Sequence, residues 1–173
     1  MSVIKLISTI FTFQKFWKVI FFVFVKNSSI KILGIDYGDF TIGLAIHDAK
    51  TNFTYPFKTI YRDKPNILRK SIREIVSIID SEKIDEVVVG LPLNVDGTEG
   101  ERVDKVKNFC KMLNNKIDNE NIAITINFQD ERFSTLEARE ILREHGIKKS
   151  EEKKYIDQVA AEIILGDYIK TNK

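Results

Sequence analysis

A chain of 173 residues with 43% apolar composition is the right size for one domain and can bury a full core without covalent staples. Its single cysteine, Cys110, excludes an intrachain disulfide, and its two histidines have no zinc-like spacing to it, so a reducing setting such as the cytoplasm is expected. With 27 basic and 25 acidic residues the net charge is only +2, so bulk charge does not argue for a nucleic-acid partner and any such partner must be read from a site.

Residues 1–28, MSVIKLISTIFTFQKFWKVIFFVFVKNS, are basic and aromatic and unlike the rest of the chain. Lys15 and Lys18 interrupt the apolar run, which leaves no stretch of about 18 apolar residues and hence no membrane span. Three readings stand for this extension: a dispensable leader or mis-assigned start, a targeting peptide, or an interfacial anchor with its lysines near headgroups. The folded body is placed at 29–173, with no stable membrane partner.

From Ile30 the texture becomes regular. IKILGID, IGLAIHD and TYPFKTI are apolar runs separated by turn-prone residues, and they predict three consecutive strands. Between Asn66 and Asp80 the residues Leu68, Ile72, Ile75, Val76 and Ile79 recur at helical spacing, with Pro65 suited to a first helical turn. EVVVGL then reads as a central strand buried on both faces. Beyond the loop PLNVDGTEG, the residues Val103, Val106, Cys110, Leu113 and Ile117 line one helical face, which makes Cys110 an inert core residue. IAITINF is the fifth strand and leads to Asp130, Glu131 and Arg132. Ser134 and Glu137 have capping-box spacing for the next helix, which Gly146 can close, and a last helix is expected from about Tyr155 to Ile169. The order βββ-α-β-α-β-α predicts an α/β domain with a mixed five-stranded sheet and helices on its faces.

Acids fall where strands end. Asp36 closes the first strand within Gly34-Ile35-Asp36-Tyr37-Gly38, the pair Asp130-Glu131 comes after the fifth, and Asp157 is expected where the last helix opens. Asp157, Ala160, Ala161 and Ile164 share one helical face, and the two alanines let that helix approach the sheet. Ligands of open sheets bind beyond the carboxyl ends of the strands, where such acids can converge. Taken singly, Asp36 could be a turn residue and Asp157 could stabilise a helix N-terminus. Convergent carboxylates without imidazole or thiolate form the ligand set preferred by hard divalent ions, Mg2+ or Mn2+, and such ions support phosphodiester hydrolysis. Glycosidases also use two carboxylates, but three acids at element ends fit metal binding better.

Four motifs in order, Gly34 to Gly38, Gly90-Leu91-Pro92-Leu93-Asn94 with Asp96-Gly97-Thr98-Glu99-Gly100, Asp130-Glu131-Arg132, and Ile156-Asp157 before Ala160-Ala161, resemble the YqgF-type pre-16S ribosomal RNA nucleases, also described as Holliday-junction-resolvase-like. The likeness spans about residues 30–170. It implies a ribonuclease H-like fold, a cytoplasmic nuclease, and trimming of the 5′ end of small-subunit ribosomal RNA, with precursor RNA and ribosomal particles as partners. By that resemblance Asp36 and Asp157 are metal ligands and catalytic groups, with Glu131 or Asp130 supplying a further acid; strand alternation lets only one of that pair face the site.

Arg132 could clamp a phosphate or pair back with the adjacent acids. Asn94 and Thr98 sit in a loop that could offer main-chain NH groups to a phosphate or form a tight turn about Asp96-Gly97. The chain departs from the family where a basic residue usually comes after the first acidic motif: Asp39-Phe40-Thr41 stands there. His47 and His145 receive no catalytic role, and the pairs Lys148-Lys149 and Lys153-Lys154 read as solvated charge or as a backbone track. Competing functions are four-way-junction resolution, nucleotide binding of the actin or sugar-kinase type, for which the chain is short, and a non-catalytic RNA-binding module. The chain could act as a monomer or a homodimer.

Overall fold

The computed structural model describes residues 30–172 apart from 66 and 133. The extension at 1–28, with its three readings, lies outside the described residues.

Among the described residues nine elements occur in order: β1 (Lys31–Tyr37), β2 (Thr41–Asp48), β3 (Phe53–Tyr61), α1 (Arg69–Glu82), β4 (Glu86–Leu91), α2 (Glu101–Asn119), β5 (Thr125–Asp130), α3 (Ser134–Glu144) and α4 (Lys149–Thr171). The strands form one sheet in the order β3-β2-β1-β4-β5. β1 pairs antiparallel with β2, and β2 with β3, whereas β1, β4 and β5 run parallel. The parallel neighbours are joined by the crossover helices α1 and α2, as parallel pairing requires. This is the mixed sheet that the element order predicts and the ribonuclease H-like arrangement that the resemblance implies.

Alternation along the central strands sends opposite sets of side chains to the two faces. Leu33, Ile35, Val87 and Val89 pack in one cluster with Ile75, Ile79, Val106, Phe109 and Leu113 of α1 and α2. Ile32, Ala45 and Val88 pack on the other face with Ala161, Ile164 and Leu165 of α4. The full burial of residues such as Ile35 and Leu113 contributes about 1.5–3 kcal/mol each. Cys110 lies within the first cluster, and burial pushes its thiol up to about 12, so it is inert as expected.

Four boundaries differ from the sequence reading. α1 starts at Arg69 rather than Asn66, because Pro65 sits in a turn where its carbonyl accepts a 3.2 Å bond from Arg62. β5 covers Thr125–Asp130 rather than residues 122–128, in register with Glu86 to Leu91 of β4. Ser134 is the first residue of α3 rather than its cap, and its hydroxyl donates to the main-chain oxygen of Glu131 at 3.1 Å. α4 starts at Lys149, six residues before Tyr155. Its early turns are charged on most sides, which hid them from an apolar-periodicity reading; Glu152 is nevertheless buried, held by Arg143 of α3 at 3.1 Å. Gly146 closes α3 with φ of 75°, a conformation that favours glycine.

Candidate active site

Asp36 lies at the carboxyl end of β1 and faces the side of the sheet that α4 covers. Its antiparallel partner on β2 is Gly43. On β4 the pairing Ile35 to Val89 brings Gly90 level with it. Asp36 is thus flanked on both neighbouring strands by residues without side chains, and each gap is filled by one of the other acids. A Cβ on Gly43 would lie 1.9 Å from the main-chain oxygen of Asp157 and 2.9 Å from its Cβ. A Cβ on Gly90 would lie 1.9 Å from Oε2 of Glu131. Three acids distant in sequence therefore meet at one end of the sheet, over two glycines that leave them room.

Glu131, just past β5, extends the parallel pairing by donating its NH to the Leu91 carbonyl at 3.2 Å. Its Oε2 is buried and has no hydrogen-bond partner. Asp130 points the other way: it is exposed and receives Arg132 through Nε at 2.9 Å and Nη2 at 2.8 Å. Of the two neighbouring acids, Glu131 is the one that faces Asp36. Asp157 lies well inside α4, two turns beyond its start at Lys149, and so outside the first turn where a helix dipole acts.

The electrostatics arise from this crowding. Burial, then the Asp157 carboxylate, raises Asp36 to about 7 against an opposing pull from Arg102. Burial, then Asp36, raises Glu131 to about 8, again opposed by Arg102 and with a further push from Asp130. Asp157 is raised by burial, while a hydrogen bond from the Thr41 side chain and the charge of Lys153 act against the rise. Like charges that neither water nor a counter-ion relieves favour the protonated form.

Arg102 escaped the sequence reading. It is the second residue of α2, exposed and on a helix whose apolar face set the pattern, and only the fold brings its charge to bear on Asp36 and Glu131. The remaining candidates are bonded to one another. Arg132 joins Asp130 and donates to the Val95 carbonyl at 3.2 Å. Asn94 donates to the Thr98 hydroxyl at 2.9 Å, and that hydroxyl donates to Asp96 at 2.6 Å. The 92–100 loop is thus a self-bonded turn, tied by Arg132 to the end of β5. His47 bonds Thr54 at 2.9 Å and His145 bonds the Ile141 carbonyl at 2.8 Å.

The donor set suits a hard divalent ion. All the donors are carboxylate oxygens, one of them buried without a partner, and their mutual repulsion is the field a dication relieves. Among the described residues no three histidine, cysteine, aspartate or glutamate side chains already stand close enough together to hold a metal ion between them. The acids act instead as two linked pairs that share Asp36.

Residues 30–171 match the model of the family described as "RuvX: Holliday junction resolvase". A protein of Lachnospira eligens is 36% identical over 83% of this chain and 99% of its own length, and one of Carboxydothermus hydrogenoformans is 39% identical over 80% and 95%. Both carry the name "Putative pre-16S rRNA nuclease". The structure titled "T. thermophilus RuvC in complex with Holliday junction substrate" aligns at 10% identity with a TM-score of 0.48, over 83% of this chain and 96% of the other.

Proposed function

The chain belongs to the RuvX family, and we propose that it is a nuclease that hydrolyses phosphodiester bonds and trims the 5′ end of precursor 16S ribosomal RNA. The observation that carries this reading is the meeting of Asp36, Glu131 and Asp157 beyond the strand ends, with a buried Glu131 oxygen left without a partner. The names of the curated relatives favour the RNA substrate; the description of the family favours a four-way DNA junction as the second reading.

Asp36, Glu131 and Asp157 would hold Mg2+ or Mn2+, which when bound supplies activation of water and charge stabilisation at the leaving oxygen. The chain's own groups do the rest. Thr41 orients the Asp157 carboxylate by hydrogen bonding. Ser134 fixes the main chain of Glu131. Arg102 faces the acids with positive charge before and during substrate entry, and suits a phosphate oxygen beside them. Asn94, Thr98 and Arg132 shape the rim past which the backbone runs, with Asp130 anchoring Arg132. No helix among the described residues is long and apolar enough to cross a membrane, and the proposed place of action is the cytoplasm.

The test is incubation of the protein with a 5′-extended 16S precursor end and with a four-way DNA junction, each with magnesium, manganese or chelator. Metal-dependent shortening of the RNA is the expected result. Cutting confined to the junction would transfer the reading to resolution, and a folded preparation that cuts neither would leave an RNA-binding module.

A further inference from the structure

The helix α4 reaches past the sheet at the end where the acids meet. Asp157 stands against Gly43 of β2, Ala161 and Leu165 stand against Gly34 of β1, and Tyr168 bonds Glu86 at the start of β4. The helix therefore descends along the sheet from Asp157, and its turns from Lys149 to Ile156 stand beyond the strand ends. Those turns are carried by α3: Ile156 packs with Ala138 and Leu142, and Glu152 is held by Arg143 at 3.1 Å. A supported wall thus rises beside the acids before any substrate arrives.

Lys153 lies on that wall four residues before Asp157, on the same helical face and about 6 Å further along the axis. It is exposed, its charge acts on Asp157, and among the described residues it enters no ion pair. A basic residue four positions before an acid is also the poorer order for a helix pair, so α4 gains little stability from it. The adjacent Lys154 is turned aside, with its ammonium 5.2 Å from the centre of the Tyr155 ring.

The other side of the acids has a counterpart. α2 packs on the face of the sheet opposite to α4, and its first turns stand at the same end: Lys105 reaches Asp39 at 3.4 Å, and Arg102 acts on Asp36 and Glu131. A lysine and an arginine thus flank the carboxylates from the two faces of the sheet. Carboxylates repel a polyanion, and the hairpin tip 38–43 contains no lysine or arginine. Cations on both sides are what a phosphate chain laid across the acids needs.

We propose that Lys153 grips a backbone phosphate on the Asp157 side of the scissile bond, opposite Arg102, so that a single strand crosses the acids from the start of α4 to the start of α2. The inference rests on the nuclease reading above and gives its substrate a second contact and a path. A lysine acts on a phosphate as a point charge, and such a contact positions the backbone without reading its sequence.

The test measures binding of a labelled single-stranded RNA matching the 5′ extension of the 16S precursor, by fluorescence anisotropy over a series of salt concentrations with calcium replacing magnesium. The proteins are the full chain, Lys153→Gln, Lys153→Arg and Lys154→Gln, each shown by thermal melting to be folded. Loss of one phosphate contact lowers the slope of log affinity against log salt by about 0.7 for a single strand. That decrease, with weaker binding, is expected for Lys153→Gln, whereas Lys153→Arg and Lys154→Gln keep the unmodified slope. An unchanged slope in Lys153→Gln, an equal drop in Lys154→Gln, or a drop in Lys153→Arg would overturn the grip, while precursor cleavage by the unmodified chain keeps the nuclease reading in place. Absence of RNA binding by the unmodified chain would overturn the grip, and the nuclease reading with it if the precursor is not cut either.

Discussion

Asp130 and Glu131 differ by one position in the chain and face opposite ways, one into solvent against Arg132 and the other toward Asp36. Strand alternation guarantees that only one of them can enter the site, but which one depends on where β5 ends, and that is set by pairing with β4. The cost of the choice appears as pH dependence. Asp36 and Glu131 have native values of about 7 and about 8, above their ordinary 3.8 and 4.5. The native state therefore holds more protons than the unfolded chain between these limits, and stability falls as pH rises through the window. Without divalent ions, Asp36→Asn is expected to melt higher than the unmodified protein at pH 8 by a few degrees, since ~1 kcal/mol moves Tm by roughly 2–4 °C at this size. At pH 4 the two melting temperatures should approach each other. A variant that melts lower at pH 8 would mean that Asp36 is stabilised as an anion and that the repulsion described here is absent.

At the scale of elements, α4 and the end of β5 are set down over glycines, and the two contacts differ in kind. Gly43 meets main-chain atoms of Asp157, which cannot yield without lifting α4, whereas the first atom Gly90 meets is the end of the Glu131 side chain. Gly43→Ala is expected to cost about 1–3 kcal/mol or more of stability together with activity. Gly90→Ala should displace Glu131 and cut activity with a smaller loss of stability, so melting and cleavage measured on the pair should separate. Equal stability losses would contradict this division. The strands, the apolar faces of the helices, Asp36, the pair Asp130-Glu131 and Asp157 were legible in the sequence as candidates, because apolar periodicity and position near element ends are local signals, whereas the sequence left open which of the pair faces Asp36. Three features were not legible. The start of α4 was hidden by its charged turns, Arg102 has no apolar pattern to mark it, and the use of Gly43 and Gly90 as gaps for distant acids exists only once strands pair. The capping spacing at Ser134 was a local signal that tertiary structure overrode, since its hydroxyl is bonded to Glu131.

Across the whole molecule the sheet divides two tasks. Its α1 and α2 face is packed with apolar side chains, while the α4 face gives up side-chain volume at one end to admit three carboxylates. A net charge of +2 leaves little general attraction for a polyanion, so under the proposed function recognition would rest on Arg102 and on ions held by the acids. The most direct measurement is magnesium-dependent cleavage of the 5′-extended 16S precursor by the unmodified chain, Asp36→Asn, Glu131→Gln and Asp130→Asn, with melting curves to show that each is folded. Asp36→Asn and Glu131→Gln should lose cleavage by about 100-fold or more, the scale on which single groups in hydrolytic sites act, while Asp130→Asn retains most of it. Cleavage by folded Asp36→Asn at the unmodified rate would place the chemistry elsewhere and leave the carboxylates as scaffold.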